Sequence, residues 1–229
     1  MRYKQMKMSK DKRGFSIIMN VYDQAPELEA NLPQFLTQDY EPGFEVIVVN
    51  EMSTDNTDDV LKLLKQDYPN LYTTFLPKPN RLAIHKKHAL NIGAKAAKNE
   101  WLIFASINKV PAANDILTAI NEVLDDDAAL TLGYIDKKGI RLQPFYTIDE
   151  ASGHIRKTER KLQNVKHRNT RTNYMWGRYD FIIIPKSNLL ELLKFYEHVI
   201  HKGELLGIRL GILWHNLIHH ASTTLLVTT

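Results

Sequence analysis

Short apolar runs alternate with amphipathic stretches over the first half of the chain. Residues 55–67, for example, place Val60, Leu61, Leu63 and Leu64 on the predicted inner face of a helix. Strands and helices in regular alternation are typical of βαβ units. The pattern therefore predicts an α/β fold, a mostly parallel sheet with flanking helices, with strands at 15–20, 45–49, 71–76 and 101–105 and helices at 27–38, 55–67, 84–98 and 115–124.

The second half of the chain keeps apolar strands but loses the regular alternation. Strands are predicted at residues 130–135, 140–148 and 180–184, and a helix is predicted to follow from Asn188. A last helix near 203–220 precedes a β-branched tail, which is typical of a closing strand. The second half is therefore expected to extend the same sheet.

Charge is distributed unevenly along these 229 residues, whose net charge is +4. Residues 1–13 carry six Lys/Arg and one Asp, and residues 154–178 carry eight Lys/Arg and one Glu. Such segments attract phosphate-bearing or membrane-surface partners, although a solvated face is their commoner explanation. Since no repeat or low-complexity linker is present, we expect a basic flexible leader at 1–13 and a single domain over 14–229.

Composition excludes several classes of protein. The absence of cysteine excludes disulfide frameworks, thiolate catalysis and cysteine-bound zinc. No stretch approaches the ~20 apolar residues of a membrane span, and the basic N-terminus lacks the apolar core of a signal peptide. We therefore expect a cytoplasmic protein, with the inner face of a membrane as a further location that the basic leader allows.

The segment from Glu45 to Thr57 contains the first candidate for chemistry. A buried strand ends there at Asn50 and Glu51, and residues 53–55, Ser-Thr-Asp, offer capping groups to the next helix. In open α/β sheets, ligands bind outside the carboxyl ends of the strands. Glu51 is thus a candidate ligand contact, although an acidic loop at a helix start explains the segment equally well.

Four segments together resemble one enzyme family. Residues 16–23 read SIIMNVYD, residues 48–57 VVNEMSTDNT, residues 88–93 HALNIG and residues 101–111 WLIFASINKVP. In that order they resemble the P-V-Y-N loop, the V-V-D-D-G-S-T-D-N-T segment, the A-x-N-x-G motif and the strand ending in D-A-D of the family 2 inverting glycosyltransferases. The resemblance covers residues 15–125 and implies the Rossmann-like GT-A fold and a nucleotide-sugar donor.

The resemblance also implies roles for side chains at the carboxyl edge of the sheet. Tyr22 would stack on the nucleotide base, with Asn20 beside it, and Glu51 would contact the base or its ribose. Lys86 and Lys87, at a helix start, would meet the diphosphate together with the helix N-terminus. A half-buried loop aromatic is the alternative for Tyr22, and a solvated helix start is the alternative for the lysines.

The largest departure from the family lies at its metal motif. The D-x-D triplet binds a divalent cation that bridges the two phosphates, but this chain has Ser106-Ile107-Asn108, followed by Lys109. Neutral oxygens hold Mg²⁺ or Mn²⁺ far more weakly than carboxylates do. Three explanations stay open: Lys109 replaces the cation, a metal binds through the phosphates and a distant carboxylate, or transfer activity is lost.

The catalytic base is a second departure. Inverting transfer needs a carboxylate beside the acceptor hydroxyl, and the family supplies it from an E-D pair that follows a late strand and helix. Residues 180–186 resemble that strand, and Glu204, followed by Leu205, stands where the pair would fall. Glu204 is therefore the candidate base, with an ordinary helix-start carboxylate as the alternative.

Two pairs of residues in the second half are weaker candidates for site residues. Trp176 and Arg178 would suit an acceptor sugar, although packing beneath the sheet explains them as well. His215 and His219 have the i, i+4 spacing of metal ligands, but no Glu follows His215 as in H-E-x-x-H. A structural role is therefore the simpler explanation for these histidines.

The sequence predicts a family 2 glycosyltransferase of polysaccharide biosynthesis. It would use a nucleotide-sugar donor, UDP-linked by preference, with Mg²⁺ or Mn²⁺ left open, and a glycan or lipid-linked acceptor. The alternative is a catalytically inactive GT-A-fold protein that binds or scaffolds. A nucleic-acid module would rest on residues 154–178 alone, where aromatics are not spaced as a stacking platform, so no nucleic-acid partner is expected.

Overall fold

The computed structural model describes residues 13–76, 82–111, 113–128, 130–136, 139–149, 180–190 and 224–228. Within these residues the chain forms one mixed sheet with helices on both faces. The strands are β1 (Phe15–Val21), β2 (Phe44–Asn50), β3 (Leu71–Phe75), β4 (Trp101–Ala105), β5 (Leu130–Asp136), β6 (Gly139–Asp149), β7 (Phe181–Pro185) and β8 (Thr224–Thr228). The helices are α1 (Ala25–Leu36), α2 (Thr57–Asp67), α3 (Leu82–Ala96) and α4 (Ile116–Val123).

The strand order is β3-β2-β1-β4-β7-β5-β6-β8. The pairs among β3, β2, β1 and β4 are parallel, and all the later pairs are antiparallel. This confirms the predicted α/β fold with a parallel core. Among the antiparallel pairs, β5 and β6 form a hairpin in which Asp136 pairs with Gly139, a connection too short for a crossover.

Two apolar layers cover the sheet. Leu28 and Leu32 of α1, Leu61 of α2 and Leu117 of α4 pack on the face that carries Ile17. The opposite face packs against α3 and against the helical residues 186–190, through side chains that include Ala89, Ala94 and Leu189. β1, β2 and β4 therefore have both faces covered, as their continuous apolar runs predict, whereas the edge strand β3 exposes Tyr72 and Phe75.

The predicted inner face of α2 is wrong at one position. Leu61 is buried and Val60 and Leu64 pack at its sides, whereas Leu63 is 63% exposed. Two residues along a helix correspond to a rotation of about 200°. Leu63 therefore points away from Leu61 and towards solvent.

The glycine of the A-x-N-x-G segment is explained by close packing. A Cβ added to Gly93 would lie 2.6 Å from Ile18 Cγ2 and 3.5 Å from Val49 Cγ2. At the end of α3, the Lys98 N–H donates to Glu45 Oε1, near the start of β2. These contacts run α3 antiparallel to the strands, so its N-terminus lies towards their carboxyl edge.

The predicted leader is wrong at its last residue. Arg13 is fully buried, donates hydrogen bonds to Asn121 and forms an ion pair with Asp126. Its guanidinium also lies 5.3 Å from the centre of the Trp101 ring. A buried arginine requires such partners, and a linear sequence does not show them. The ordered fold therefore begins at Arg13 at the latest.

Several predictions concern residues beyond the described ranges. They include the leader residues 1–12, the basic segment 154–178 with Trp176 and Arg178, and the last helix with Glu204, His215 and His219. The closing strand is confirmed as β8, which pairs with β6. Within the described ranges, no helix combines the length and apolar character that crossing a bilayer requires.

Candidate functional site

Tyr22 and Glu51 are neighbours at the carboxyl edge of the parallel strands. Val21 pairs with Asn50 as the last step of the β1–β2 register. One residue further, the Glu51 N–H donates to the Val21 carbonyl oxygen over 2.8 Å. Tyr22 is 56% exposed, and Glu51 is partly exposed. An aromatic ring and a carboxylate therefore leave adjacent strands at the same point of the sheet edge.

Asn20 and Ser106 lie at the same level on neighbouring strands. Ile18 pairs with Phe104 in the β1–β4 register, and two further residues along each strand bring Asn20 beside Ser106. The Asn20 Oδ1 atom is buried and has no hydrogen-bond partner among the described residues. Buried polar atoms are nearly always paired, so this acceptor is an exception among the described residues.

The loops after β1 and β2 are held together by hydrogen bonds. Asp23 Oδ1 accepts from the backbone N–H groups of Thr54 and Asp55, and the Asp23 N–H donates to Ser53 Oγ. The Ala25 N–H, at the start of α1, donates to Asp55 Oδ2. Residues 53–55 thus connect the two loops, in addition to any capping role in α2. The two loops that carry Tyr22 and Glu51 are therefore braced against each other.

The second loop contains a strained residue and a structural amide. Met52 has a φ of 63° and Asp23 a φ of 48°, a region that costs an L-residue about 1–2 kcal/mol. Met52 occupies the position of the glycine in V-V-D-D-G-S. Asn50 is buried, donates to Asp58 Oδ1 and accepts from Ser53. Asn50 therefore fixes the loop, and Glu51 is the side chain left partly open.

The Ser106-Ile107-Asn108 triplet forms a turn after β4. Ile107 is buried in the core, whereas Ser106 and Asn108 are exposed. The Asn108 N–H donates to Ser106 Oγ, and the Lys109 N–H donates to the Ser106 carbonyl oxygen. On the other side, Asn31 of α1 donates to the Ile107 carbonyl oxygen. The turn is thus fixed by its own hydrogen bonds and by α1.

Lys109 forms an ion pair with Asp180, a residue the sequence did not single out as a site residue. The Lys109 Nζ and Asp180 Oδ1 atoms are 3.0 Å apart, and the Ile135 N–H donates to Asp180 Oδ2 over 2.8 Å. Ala105 pairs with Phe181, so Asp180 lies level with Ser106. The end of β4 therefore carries a lysine and a carboxylate from the start of β7.

Lys86 and Lys87 lie in the first two turns of α3. The structure describes the helical backbone at these positions but not their side chains. They precede Gly93 by seven and six residues respectively, about 10 Å along a helix, and Gly93 packs beside Ile18 and Val49. The backbone thus brings both lysines to the level of the carboxyl edge, while their contact with a diphosphate stays a prediction.

The profile of one protein family, described as glycosyl transferase family 2, matches residues 16–185. The match covers more than half of the chain. The chain belongs to this family. The matched range includes the loops that carry Tyr22 and Glu51, the triplet after β4 and the strand that follows Asp180.

Two solved structures illustrate what this family 2 chain is similar to. A mannosyltransferase from Pyrobaculum calidifontis, in complex with GDP-Man and Mn²⁺, is 26% identical, with a TM-score of 0.43 over 51% of this chain and 34% of that one. TarS 1–349 from S. aureus in complex with UDP is 22% identical, with a TM-score of 0.45 over 54% and 36%. The chain thus spans about a third of their length. A search of curated protein sequences gave no significant match.

The family implies a divalent cation, and the described residues around the Ser106-Ile107-Asn108 triplet do not fit one. Ser106 and Asn108 offer neutral oxygens, and the Ser106 hydroxyl already accepts from a backbone N–H. Both oxygens of Asp180 are engaged. Across the part of the chain that the structure describes, no group of three or more His, Cys, Asp or Glu side chains is placed to hold a metal ion. This family 2 chain lacks the carboxylate set that the motif provides.

Sequence reasoning did not assign Asp180 or Asp23 to this site. Asp23 is a single acid in a loop, and its hydrogen bonds to residues 54 and 55 depend on how two loops meet. Asp180 lies 71 residues after Lys109 (180 − 109). Their contact depends on the antiparallel pairing of β4 with β7, which local periodicity does not specify. The available signal was the acid directly before a buried strand.

Asp55 gives the braced loops a predicted pH dependence. A hydrogen bond from the Thr57 hydroxyl, with others from the backbone N–H groups of Ala25 and Thr57, lowers the pKa of the Asp55 carboxyl from its ordinary value of 3.8. A carboxylate with a lowered folded-state pKa stabilises the fold above its unfolded-state pKa, and this contribution is lost as the pH falls through the folded-state pKa.

We therefore expect Asp55→Asn to lower the melting temperature at neutral pH and to lower it much less near about pH 3. Circular-dichroism melts of both proteins at the two pH values measure this difference. Asp59→Asn is the matched control, because Asp59 is 74% exposed and forms an exposed ion pair with Lys62. A loss of equal size at both pH values would show that the Asp55 charge is irrelevant to the loops.

Proposed function

We propose that this family 2 chain transfers a sugar from a nucleotide-sugar donor to a glycan or lipid-linked acceptor. The observation that carries the proposal is the exposed Tyr22 ring beside Glu51 at the carboxyl edge of adjacent parallel strands. This is where open α/β sheets bind ligands. Family membership supports glycosyl transfer in general. The described residues include those of the proposed donor site.

The nucleotide would occupy the space above β1 and β2. In this arrangement Tyr22 stacks on the base, Glu51 accepts hydrogen bonds from the base or ribose, and the Asn20 amide lies beneath the nucleotide. The unpaired Asn20 Oδ1 atom supports this placement, because a bound hydroxyl or N–H group would satisfy it. A UDP-sugar is the donor we propose, and a hexosyl group is the sugar we propose to be transferred.

The diphosphate would extend from the base towards the end of β4. Ser106, Asn108 and Lys109 lie on that side, and Lys86 and Lys87 would approach from α3. Helix N-termini favour anions through their unpaired N–H groups. Cationic side chains from two elements would therefore face the most highly charged part of the donor.

Two further proposals concern the acceptor side and the cell. Glu204 is the proposed base that removes the proton from the acceptor hydroxyl. The five Lys/Arg of residues 1–12 would contact an anionic membrane surface, at about 1 kcal/mol per basic residue near it. The cytoplasmic face, where a lipid-linked acceptor of polysaccharide biosynthesis would be present, is the proposed location.

Calorimetry tests the donor site. We expect UDP to bind the wild type and Tyr22→Ala to weaken binding by about tenfold or more, because base–aromatic stacking contributes about 1–3 kcal/mol. Tyr72→Ala is the matched control, since Tyr72 is also exposed (45%) but pairs with Ile47, well below the carboxyl edge. Titration of each protein with UDP, GDP and ADP gives affinity and base preference.

The calorimetry distinguishes three outcomes. Absence of heat with all three nucleotides would overturn the donor site. UDP binding that is equally strong in Tyr22→Ala would place the base elsewhere. Weaker binding in Tyr22→Ala alone supports the stacking role.

A non-catalytic GT-A-fold binding protein is the second candidate. The observation in its favour is the loss of both motif carboxylates at Ser106 and Asn108. The two candidates differ in turnover. Release of UDP from UDP-sugars, reduced about 10²-fold or more by Glu204→Gln as expected for loss of a general base, would establish the transferase. Nucleotide binding without turnover, with any acceptor tested, would favour the binding protein.

A further inference from the structure

The ammonium group of Lys109 lies at the end of β4, next to the triplet that replaces the family's metal motif. The Lys109 ammonium lies 3.0 Å from Asp180 Oδ1, and Asp180 is level with Ser106, the first residue of the triplet that replaces D-x-D. The Lys109 side chain is 57% exposed and the Asp180 side chain 14%. The carboxylate is thus the inner member of the pair and the ammonium the outer one.

Asp180 is well placed to position that ammonium. Its backbone N–H donates to the Gly133 carbonyl oxygen, and its Oδ2 atom accepts from the Ile135 N–H. These two bonds tie the carboxylate to β5, so Oδ1 is the oxygen left to hold the lysine. An ammonium has three donors, and a single bond to Asp180 leaves two of them for phosphate oxygens.

The local charge balance equals that of the family's site. A divalent cation with two carboxylates sums to zero, and the Lys109–Asp180 pair also sums to zero. A diphosphate would therefore meet a donor group at this point without an excess of carboxylate charge. What differs is the bond: lysine offers charge-assisted hydrogen bonds, whereas a metal ion coordinates the oxygens directly.

We propose that the donor site holds its diphosphate without a divalent metal, through Lys109, with Asp180 as the residue that positions it. This inference rests on the proposed function. During transfer the bond from the sugar C1 to the phosphate oxygen breaks, and both electrons stay on the nucleoside diphosphate. The acceptor oxygen bonds to C1 and its proton passes to the base. The Lys109 ammonium stabilises the charge that develops on the leaving diphosphate.

Metal dependence of binding is the first test. UDP is titrated into the wild type by calorimetry, once in EDTA and once in Mn²⁺. We expect the two affinities to agree within about threefold. UDP binding that requires Mn²⁺ would overturn the metal-free site and leave the proposed function intact. If UDP fails to bind in either buffer, the proposed function itself is wrong.

The role of the lysine is tested by comparing UDP with UMP in EDTA. We expect Lys109→Gln to weaken UDP binding by about tenfold or more, the usual effect of losing a charge-assisted hydrogen bond, and to leave UMP binding almost unchanged. Lys62→Gln is the matched control, because Lys62 is also an exposed lysine in an ion pair. Equal UDP affinity in Lys109→Gln would overturn the assignment.

The role of Asp180 needs a measurement that a purely structural residue would not change. Asp180→Asn keeps the acceptor for the Ile135 N–H but removes the charge that holds Lys109. We expect it to reduce the preference for UDP over UMP while the melting temperature changes little. Unchanged preference in the folded variant would overturn the positioning role. If Asp180→Asn fails to fold, Lys109→Arg is the substitute test. Arginine keeps the positive charge on a longer side chain, so we expect this variant to keep a preference for UDP over UMP. Loss of that preference contradicts the proposal.

Discussion

Replacing Arg13 by alanine is expected to lower the free energy of unfolding by about 3 kcal/mol. The side chain is fully buried, donates to the Asn121 carbonyl and Oδ1 atoms, and pairs with Asp126. Removing one member of a buried pair leaves its partners without compensation. Since the Asp126 side chain is 29% exposed, water can partly replace the arginine, which places the loss at the low end of the usual range.

Urea unfolding of the purified chain measures this loss, and two further variants separate its causes. Arg13→Met keeps the apolar stem against Trp101 but not the charge, so it reports packing and charge separately. Lys62→Ala breaks an ion pair whose side chains are 72% and 74% exposed, and it should cost less than about 0.5 kcal/mol. If Arg13→Ala and the wild type unfold at the same urea concentration, Arg13 does not stabilise the fold and belongs to the basic leader.

Gly133→Ala is expected to destabilise the chain by about 1–3 kcal/mol through overpacking. A Cβ at this position would lie 2.1 Å from Phe181 Cε2 and Cζ and 2.5 Å from Cδ2. The Phe181 ring is buried in the core, so it cannot move aside without displacing its neighbours. Because Asp180 directly precedes this ring and donates to the Gly133 carbonyl oxygen, the substitution should also weaken UDP binding.

A double substitution tests the cause of that effect. Phe181→Leu removes the ring atoms that the new Cβ would strike, so we expect it to recover part of the stability lost in Gly133→Ala. The two residues are direct partners in the β5–β7 register, so their effects should not be additive. Denaturant unfolding of the two single variants and the double variant gives the coupling energy. Strict additivity would show that the clash is relieved elsewhere.

The strands and helices of the parallel half could be predicted because local patterns specify them. The continuous apolar runs of β1, β2 and β4 required burial on both faces, and both faces are covered. The closing strand was predicted correctly from its β-branched residues and pairs with β6. Leu63 was misplaced because neighbouring leucines blur the helical period, and contact with β3 and α1 decides which face of α2 is inward.

The candidate site could be predicted only in part. Tyr22 and Glu51 were identified from motifs in two loops, and the parallel register makes them neighbours. Asp180 was not assigned to this site because its contact with Lys109, 71 residues away (180 − 109), depends on the pairing of β4 with β7, and an acid before a buried strand does not identify that partner. Lys109 was one of three explanations for the missing metal motif, and the structure pairs it with Asp180.

The sequence by itself determined the α/β class, the parallel core and the identity of the loops at its carboxyl edge. These follow from hydrophobic periodicity and turn chemistry, which act over a few residues. The tertiary structure alone decided the strand order, the burial of Arg13, the unpaired Asn20 Oδ1 atom and the Lys109–Asp180 pair. Each of these depends on groups distant in sequence, whose electrostatic and packing energies arise only when the folded chain brings them within a few ångströms.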